Sequence, residues 1–173
     1  MRVHKIQIMR YQRKTPKAVI KAMCLNIGNT HRVLEPSAGD GDICKYIINK
    51  GAEVHAFELN SEKRLQLKKD GITVLGADFL AYAPTDNYDR IVMCPPFKYN
   101  LDIVHVMHAY KYLKTGGTLR ALMNPSFFTE NRGHQIRFRE FLENKSYSIK
   151  ILPDNTFIEK GKTVPTILII IKK

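Results

Sequence analysis

The sequence has 173 residues, of which 44% are hydrophobic and 25% charged, and these values suit one globular domain, residues 1–173, with a sizeable core. No apolar run approaches the ~20 residues of a membrane span, and the first twenty residues are too polar and basic for a secretory signal, which favours a cytoplasmic protein without a membrane partner. A formal net charge of +12 indicates an acidic partner.

The positive charge is concentrated at the start of the chain, because no acidic residue occurs before Glu35. Residues 1–14 form a basic N-terminal arm, and such an arm fits a nucleic acid, since neutralising phosphates releases counterions. A solubilising tail is the alternative. The candidate nucleic-acid contacts are Arg10, Arg13, Lys14, Lys17 and, later in the chain, Lys98.

The three cysteines are widely spaced and lack a Cys-x-x-Cys pattern. An odd number without that pattern indicates neither a disulfide framework nor a zinc site. We therefore expect Cys24 and Cys44 to be buried, reduced thiols.

In chain order, the first predicted element is a helix capped by Thr15, with Pro16 at its first position, that extends to about Asn26. Short strands then alternate with helices, as in βαβ units of a parallel sheet. The strands are predicted at 32–36, 52–59, 71–77, 88–94 and 117–123, and the helices at 41–50, 61–70 and 101–114. A last helix, 131–145, should place Ile136, Phe138, Phe141 and Leu142 on the sheet, and 163–171 should form a strand.

The first chemical motif, VLEPSAGDGDI at residues 33–43, lies where the first strand turns into the next helix. Gly39 and Gly41 allow a ligand to approach the backbone, and Glu58, 19 residues after Gly39, is placed to bind ribose hydroxyls. A nicotinamide cofactor fits that spacing equally well. The carboxylates of Glu35, Asp40 and Asp42 disfavour a pyrophosphate and favour a cationic ligand such as S-adenosylmethionine. The alternative without a ligand is a plain Gly-rich turn with a solvated acidic cluster.

The second motif is YDRIVMCPPFKYN at residues 88–100, in which a hydrophobic strand ends at Cys94, Pro95, Pro96 and Phe97. Proline has no amide hydrogen and a fixed φ, so the pair ends the strand and makes a rigid edge.

Together these segments resemble the class I S-adenosylmethionine-dependent methyltransferases, and among them the amino-methyltransferases whose signature is Asn, Asp or Ser followed by Pro-Pro and an aromatic residue. The segments are TPKAVI, LEPSAGDGDI, AFELN, GADFL, CPPF and LKTGGTLRALM, in the family's order. Small phage- and plasmid-type relatives have MNPPF where this chain has MCPPF, which would place it in a host cytoplasm.

The resemblance implies an α/β fold, Rossmann-like and doubly wound, with a mostly parallel seven-stranded sheet and an antiparallel C-terminal strand. It implies S-adenosylmethionine as cofactor, with Asp78 on the adenine amino group and Phe79 along the adenine ring. The implied cofactor-binding residues are Thr15, Pro16, Glu35, Pro36, Ser37, Ala38, Gly39, Gly41, Glu58, Leu59, Asp78, Phe79 and Cys94, and the implied catalytic residues are Cys94, Pro95, Pro96 and Phe97.

In the family's signature loop, a side-chain oxygen and a backbone carbonyl accept the two hydrogens of the target amine, and the aromatic residue stacks on the extruded base. The thiol of Cys94 is a weaker acceptor than an amide or carboxylate oxygen. Three interpretations follow: a tolerated substitution in a working enzyme, an inactive ligand-binding relative, or a nucleophile as in cytosine C5 chemistry. The nucleophile interpretation is disfavoured, because cytosine C5 enzymes of this fold place the cysteine after the proline, whereas this chain places it before.

Two further segments fit either a functional or a purely structural role. His105 and His108 are three apart on a predicted helix, but no third metal ligand is evident, which favours structural or solvent-facing histidines. Residues 124–134, NPSFFTENRGH, follow the fifth strand and suggest a loop at the rim of the active site. Phe127 and Phe128 fit a substrate contact and a core position equally well.

The leading hypothesis is methylation of an exocyclic amine in a nucleic acid, with adenine N6 in DNA favoured. One alternative is methylation of a glutamine side-chain amide in a protein, since a related loop serves planar amides. The other is a module that binds cofactor or nucleic acid without turnover.

Overall fold

The computed structural model describes residues 14–83, 87–159 and 161–173. Arg10 and Arg13, two of the predicted nucleic-acid contacts, lie outside these ranges. Seven strands form one sheet in the order β3-β2-β1-β4-β5-β9-β6. They are β1 Arg32–Glu35, β2 Glu53–Phe57, β3 Thr73–Gly76, β4 Tyr88–Met93, β5 Leu113–Met123, β6 Tyr147–Ile151 and β9 Ile167–Lys172. A separate hairpin pairs β7 Ile158–Glu159 with β8 Lys162–Thr163.

Strands β1 to β5 are parallel, and β9 lies antiparallel between β5 and β6. The predicted fold class, a mostly parallel seven-stranded sheet with an antiparallel C-terminal strand, is therefore confirmed. The helices are α1 Lys17–Met23, α2 Asp42–Ile48, α3 Ser61–Lys69, α4 Leu101–Tyr110 and α5 Gly133–Glu143, with short 3₁₀ turns at Lys98–Asn100 and Pro125–Phe128.

Two hydrophobic cores cover the two faces of the sheet, because successive strand residues point to opposite faces. Val33 and Val92 belong to the core under α1, α2 and α3, whereas Leu34 and Ile91 belong to the core under α4 and α5. Cys24 and Cys44 are buried thiols in the first of these cores, as predicted.

Helix α1 is held to the sheet by a side chain from β5. The guanidinium Nη1 of Arg120 donates to the carbonyl oxygens of Met23 at 3.2 Å and Leu25 at 2.5 Å, at the end of the helix. A seven-residue helix is marginal by itself in water, so this contact and the burial of Ile20 and Met23 account for its stability.

Several predicted element boundaries and one helix face are corrected. Pro16, not Thr15, occupies the N-cap of α1, and no side chain caps that helix; Thr15 is instead buried. Helix α4 ends at Tyr110, not at residue 114, because the buried Tyr112 and Leu113 already lead into β5. Ile136 is 39% exposed and does not pack on the sheet, unlike Phe138 and Leu142 on the same helix.

One strand of the sheet, β6, was not expected from the sequence. Its residues are mostly exposed because it is an edge strand with a partner only on one side. Across the three described ranges, no helix combines the length and the apolar character needed to cross a bilayer.

Candidate active site at the carboxyl edge of the sheet

The four loops that carry the predicted motifs lie at one edge of the sheet. Since β1 to β4 are parallel, the segments that follow Glu35, Phe57, Gly76 and Met93 leave the sheet on the same side. This is the usual ligand-binding edge of an open α/β sheet. The structure therefore brings the predicted cofactor segments 36–41, 58–59 and 78–79 beside the predicted catalytic residues 94–97.

Glu58 joins the glycine loop to the end of β2. Its side-chain oxygens accept the amide hydrogens of Gly39 at 2.8 Å and of Asn60 at 2.8 Å, and the residue is only 8% exposed. The amide of Ala38 also donates to the carbonyl of Phe57 at 2.9 Å. Each carboxylate oxygen accepts more than one hydrogen bond, so the same group is suited to bind ribose hydroxyls.

Two side chains of α3 and its cap shape the chain next to Glu58. Arg64 Nη1 donates to the carbonyl oxygens of Glu58 at 2.8 Å and Leu59 at 2.6 Å, and Asn60 caps the helix by accepting from the amide of Lys63. The side chain of Leu59, which is 51% exposed, remains beside the carboxylate as an apolar surface that suits an adenine ring. Asn60 and Arg64 were not singled out from the sequence, although a residue of the Asn type before a polar helix is a recognised N-cap signal.

Glu35 differs from the expectation of a charged group facing the ligand. The residue is fully buried, its Oε1 accepts from the amide of Ser37 at 2.9 Å, and its Oε2 has no hydrogen-bond partner among the described residues. Burial, and to a lesser degree the nearby Glu58, raise the pKa of Glu35 to about 8, against the opposing bond from Ser37. At pH 7 the carboxyl group is therefore mostly neutral, and it supports the loop from the interior through the bond to Ser37 instead of facing a ligand.

The negative charge of the turn is thus smaller than its sequence suggests. Asp40 forms an ion pair with Lys63 at 2.7 Å, and Asp42 belongs to the first turn of α2. The preference for a cationic ligand, which counted Glu35, Asp40 and Asp42 as three charges, has weaker electrostatic support accordingly.

The two glycines of the loop have different tasks. Gly39, with φ 57°, presents its amide to Glu58 in a left-handed conformation that glycine adopts without strain. At Gly41, with φ 81°, a Cβ atom would lie 2.6 Å from Leu67 Cδ2. The left-handed φ of Gly41, together with this close contact, favours glycine here, and its predicted role beside a ligand stays a prediction.

Asp78 and Phe79 begin the turn after β3. Asp78 is exposed and accepts from the amide of Leu80 at 2.9 Å, a position compatible with the predicted adenine contact. Phe79 is only 2% exposed, and its ring packs against neighbouring rings, including Phe57 at 5.4 Å between centroids. That packing shows that the Phe79 ring supports the turn, and its predicted contact with adenine stays a prediction.

His105 connects α4 to the glycine loop. Its Nδ1 lies 3.4 Å from Ser37 Oγ, and its ring centroid lies 5.8 Å from that of Phe79. Burial lowers the pKa of His105 to about 4, so the imidazole is neutral at pH 7. His108 is bonded within the fold, with Nε2 3.1 Å from the Tyr112 hydroxyl, and in the described ranges no group of three or more His, Cys, Asp and Glu is arranged to hold a metal ion.

The Cys-Pro-Pro-Phe segment continues directly from β4. Pro95 is buried and Pro96 exposed, while Cys94 and Phe97 are half-buried and pack against the core under α1 and α2. A rigid backbone thus presents the carbonyl groups of Cys94 and Pro95 and the ring of Phe97 at the same edge as Glu58.

A turn with unusual backbone geometry follows Phe97. Tyr99 and Asn100 both have φ 58°, and Tyr99 is 86% exposed. Each non-glycine residue held in this region costs on the order of 1 kcal/mol or more, and such residues cluster at functional sites. This turn was not predicted, because nothing in FKYN distinguishes it from the start of α4.

The predicted rim loop is tied to the same region. The carboxylate of Asp102, on α4, accepts from the amide of Asn124 at 2.9 Å, and Arg139 Nη1 donates to the carbonyls of Phe127 and Glu130. Phe127 is a core residue and Phe128 is 51% exposed, so only Phe127 takes the expected core position, and a substrate contact by Phe128 stays a prediction. Of the predicted basic contacts within the described ranges, Lys14, Lys17 and Lys98 are exposed.

Comparison with known proteins gives one family and a broad structural likeness. A family model described as DREV methyltransferase matches residues 17–150. The structure is similar to a modification subunit of a putative type I restriction enzyme from Vibrio vulnificus, with a TM-score of 0.75 and 15% identity over 92% of this chain and 44% of that chain. It is also similar to a putative class I S-adenosylmethionine-dependent methyltransferase from Listeria monocytogenes, with a TM-score of 0.70 and 20% identity over 98% of this chain and 63% of that chain.

A third similar structure is a putative RNA methyltransferase from Pyrococcus horikoshii, with a TM-score of 0.64 and 16% identity over 94% of this chain and 87% of that chain. No curated protein matches the chain in sequence. The chain spans less than two thirds of the length of the first two structures, and at these identities all three likenesses concern the fold.

The buried Glu35 predicts a specific dependence of stability on pH. Its pKa is about 8 when folded and 4.5 in its usual state, so the folded protein holds the proton more tightly and loses stability as pH rises through that interval. Glu35→Gln, which imitates the neutral acid, should remove this loss, which is on the order of 4 kcal/mol over the whole interval. Urea unfolding between about pH 6.5 and 8 measures the difference; Asp102, with a pKa of about 6, and His105, of about 4, have largely titrated below that range.

Glu140→Gln, an exposed change on α5, is the control and should follow the wild-type curve. A Glu35→Gln protein that lost stability over this pH range as steeply as wild type would contradict the raised pKa of Glu35.

Proposed function

This chain belongs to the DREV methyltransferase family; on that premise, we propose that it is an S-adenosylmethionine-dependent enzyme that methylates an exocyclic amine of a nucleic acid, adenine N6 in DNA being the favoured target. The observation that supports this proposal most directly is the Cys-Pro-Pro-Phe segment, which leaves β4 at the same edge as Glu58 and Asp78.

The target amine is a poor nucleophile, because its lone pair is delocalised into the base. S-adenosylmethionine, when bound, supplies a methyl group on a positively charged sulfur that is a good leaving group. We propose that the carbonyl oxygens of Cys94 and Pro95 accept hydrogen bonds from the amine and direct its lone pair at the methyl group. Phe97 stacks on the extruded base, and the prolines keep the acceptors in place.

The cofactor set is proposed from the same geometry. Glu58 holds the ribose hydroxyls, Leu59 covers one face of adenine and Asp78 accepts from the adenine amino group. The backbone of residues 36–39 borders the methionine part, with Glu35 supporting it from below and Thr15 and Pro16 beside it.

A nucleic acid is favoured as substrate by the charge of the protein. The net charge is +12, and exposed Lys14 and Lys17 precede or begin α1, while Lys98 directly follows Phe97. The structural relatives that act on nucleic acid, by their names, include an RNA methyltransferase and a restriction-enzyme modification subunit. We propose that the arm of residues 1–14 adds phosphate contacts to these lysines.

The first prediction concerns Glu58. Glu58→Ala removes the carboxylate that binds the ribose hydroxyls, and hydrogen bonds to a charged group contribute about 1.5–3 kcal/mol, so calorimetry should show roughly ten- to hundredfold weaker binding of S-adenosylmethionine. Glu53→Ala, an exposed change at the other end of β2, is the control and should bind normally. Undiminished binding by Glu58→Ala would refute the assigned cofactor site.

The second prediction concerns the substrate class and Cys94. In an assay of labelled methyl transfer to DNA, RNA and protein mixtures, nucleic acid should be the acceptor. Cys94→Asn supplies a stronger hydrogen-bond acceptor and should raise turnover, up to about a hundredfold if one preorganised bond stabilises the transition state by ~2.7 kcal/mol. Cys94→Ala should have little effect, because a thiol is a weak acceptor.

A covalent cysteine gives the opposite pattern. Both variants would then be inactive, and a 5-fluorocytosine substrate would trap the wild-type protein. If only a protein amide accepted label, the glutamine alternative would replace this proposal. If Cys94→Asn still bound cofactor but modified no substrate, the non-catalytic module would be the better account.

The third prediction concerns the basic arm. Replacing Arg10, Arg13, Lys14 and Lys17 together with Gln should weaken DNA binding and reduce its salt dependence, by roughly 0.7–0.9 in the log–log slope for each phosphate that is no longer neutralised. Cofactor affinity should not change. The matched control replaces four exposed lysines at the amino edge of the sheet, Lys50, Lys68, Lys69 and Lys111. Equal salt slopes for the two variants would mean that the arm only contributes solubility.

A further inference from the structure

We propose that Tyr99 is a second stacking residue, which holds the nucleotide next to the target base while Phe97 holds the target itself. This inference rests on the proposed nucleic-acid substrate and names a substrate-positioning residue outside the Cys-Pro-Pro-Phe signature. Tyr99 lies two residues after Phe97 at the carboxyl edge of β4, and its side chain is 86% exposed.

The fold maintains this exposure against the local preference of the chain. Tyr99 and Asn100 both adopt φ 58°, a region that a bulky L-residue rarely occupies. Such a conformation persists only where surrounding contacts determine it. The contact here is Gln135, whose Nε2 donates to Asn100 Oδ1 at 2.9 Å and also lies 3.2 Å from Glu130 Oε2.

The burial of Gln135 makes the link between the Tyr99–Asn100 turn and α5 rigid. Its side chain is completely buried at the start of α5, so the turn that carries Tyr99 is fastened to both the helix and the rim loop. Arg139 fixes the other side of the rim loop through the carbonyls of Phe127 and Glu130. The position of Tyr99 is therefore set by the fold, whereas its ring remains in solvent.

The surroundings of the ring fit a strand of nucleic acid. Lys98 precedes it and is exposed, and exposed Arg132, at the N-cap of the helix that holds the turn, lies 3.6 Å from the Glu130 carboxylate on the rim loop. Aromatic rings beside cationic side chains are the usual means of binding an unpaired strand, because rings stack on bases and cations neutralise phosphates. A protein or lipid partner gives no comparable reason for an aromatic ring between Phe97 and a basic rim.

The two aromatic residues are suited to different nucleotides. Phe97 is half-buried against the core and next to the proposed amine acceptors, so it faces the target base. Two residues span at most ~7 Å, which places Tyr99 within range of the nucleotide next to the target base. Because stacking distinguishes bases weakly, Tyr99 should fix the strand with little sequence preference.

Steady-state kinetics with adenine-containing oligonucleotides test the inference. Since one base stack is worth ~1–3 kcal/mol, Tyr99→Ala should raise KM for the oligonucleotide about 5- to 150-fold, with kcat within about twofold and cofactor binding unchanged. Tyr99→Phe keeps the ring and should behave as wild type. Tyr147→Ala, at the amino end of β6 and thus at the opposite edge of the sheet, is the matched control and should also match wild type.

Fluorescence of 2-aminopurine gives a readout independent of turnover. With the probe beside the target base, the wild-type protein should quench its fluorescence and Tyr99→Ala should not. With the probe at the target position, Phe97→Ala should lose the quenching, whereas Tyr99→Ala should keep it. A wild-type enzyme that methylates the oligonucleotide, with Tyr99→Ala unchanged in KM and quenching, overturns the inference and leaves the proposed function standing. If Tyr99→Phe raised KM and lost quenching as much as Tyr99→Ala, the inference would also be overturned, because the hydroxyl and not the ring would then bind the nucleotide. A wild-type protein that neither binds nor methylates nucleic acid overturns both.

Discussion

The hydrogen bond between the Glu58 carboxylate and the Gly39 amide organises the whole carboxyl edge of the sheet. It fastens the loop after β1 to the end of β2, and the second oxygen of the same group fixes Asn60, which begins α3. Without this acceptor, the amide of Gly39 in the tight turn would need to donate its hydrogen bond to water instead. The carboxylate that is proposed to bind ribose therefore also determines the shape of the loop that borders the rest of the cofactor.

The interior beneath this edge has an unusual electrostatic character. Glu35 is buried near two thiols, and its carboxyl group contributes to raising the pKa of Cys24 to about 12 and that of Cys44 well above its usual value, after burial itself. All three groups thus remain neutral at pH 7. A neutral layer under the loop avoids repulsion with Glu58 and leaves the charge of the edge to groups at its surface.

Much of the fold was accessible from the sequence, because alternating short hydrophobic runs and helical segments determine a βαβ arrangement with few alternatives. The six segments in the family's order also indicated the edge where the candidate site lies. The missed strand β6 has a different cause: an edge strand carries Lys150 and exposed Ile151 and so lacks the buried pattern of the central strands. The end of α4 was missed because it depends on tertiary structure: Tyr112 and Leu113 are buried and already lead into β5, and the Tyr112 hydroxyl donates to the carbonyl of Tyr82.

The site was predicted less completely than the fold, for physical reasons that sequence conceals. Burial decides the charge of Glu35, and the left-handed backbone at residue 41 favours glycine there. The packing of the Phe79 ring on Phe57 is also hidden in the sequence, because an aromatic residue after a strand fits either a ligand or a core. Nothing in the letters around Tyr99 reveals a left-handed turn, since that turn depends on Gln135, 35 residues beyond Asn100.

The position of β9 between β5 and β6 has a consequence for how the protein is made. Ile169 pairs with Ala121 on one side and Ile149 on the other, so the last strand of the sheet to be synthesised is also the one that joins β6 to the rest. During translation, β6 leaves the ribosome with both backbone edges unpaired until residues 167–172 follow it. An unpaired strand that carries the exposed Ile151 is a site of intermolecular pairing, and the interval before β9 emerges is therefore the period in which a nascent chain is most exposed to aggregation.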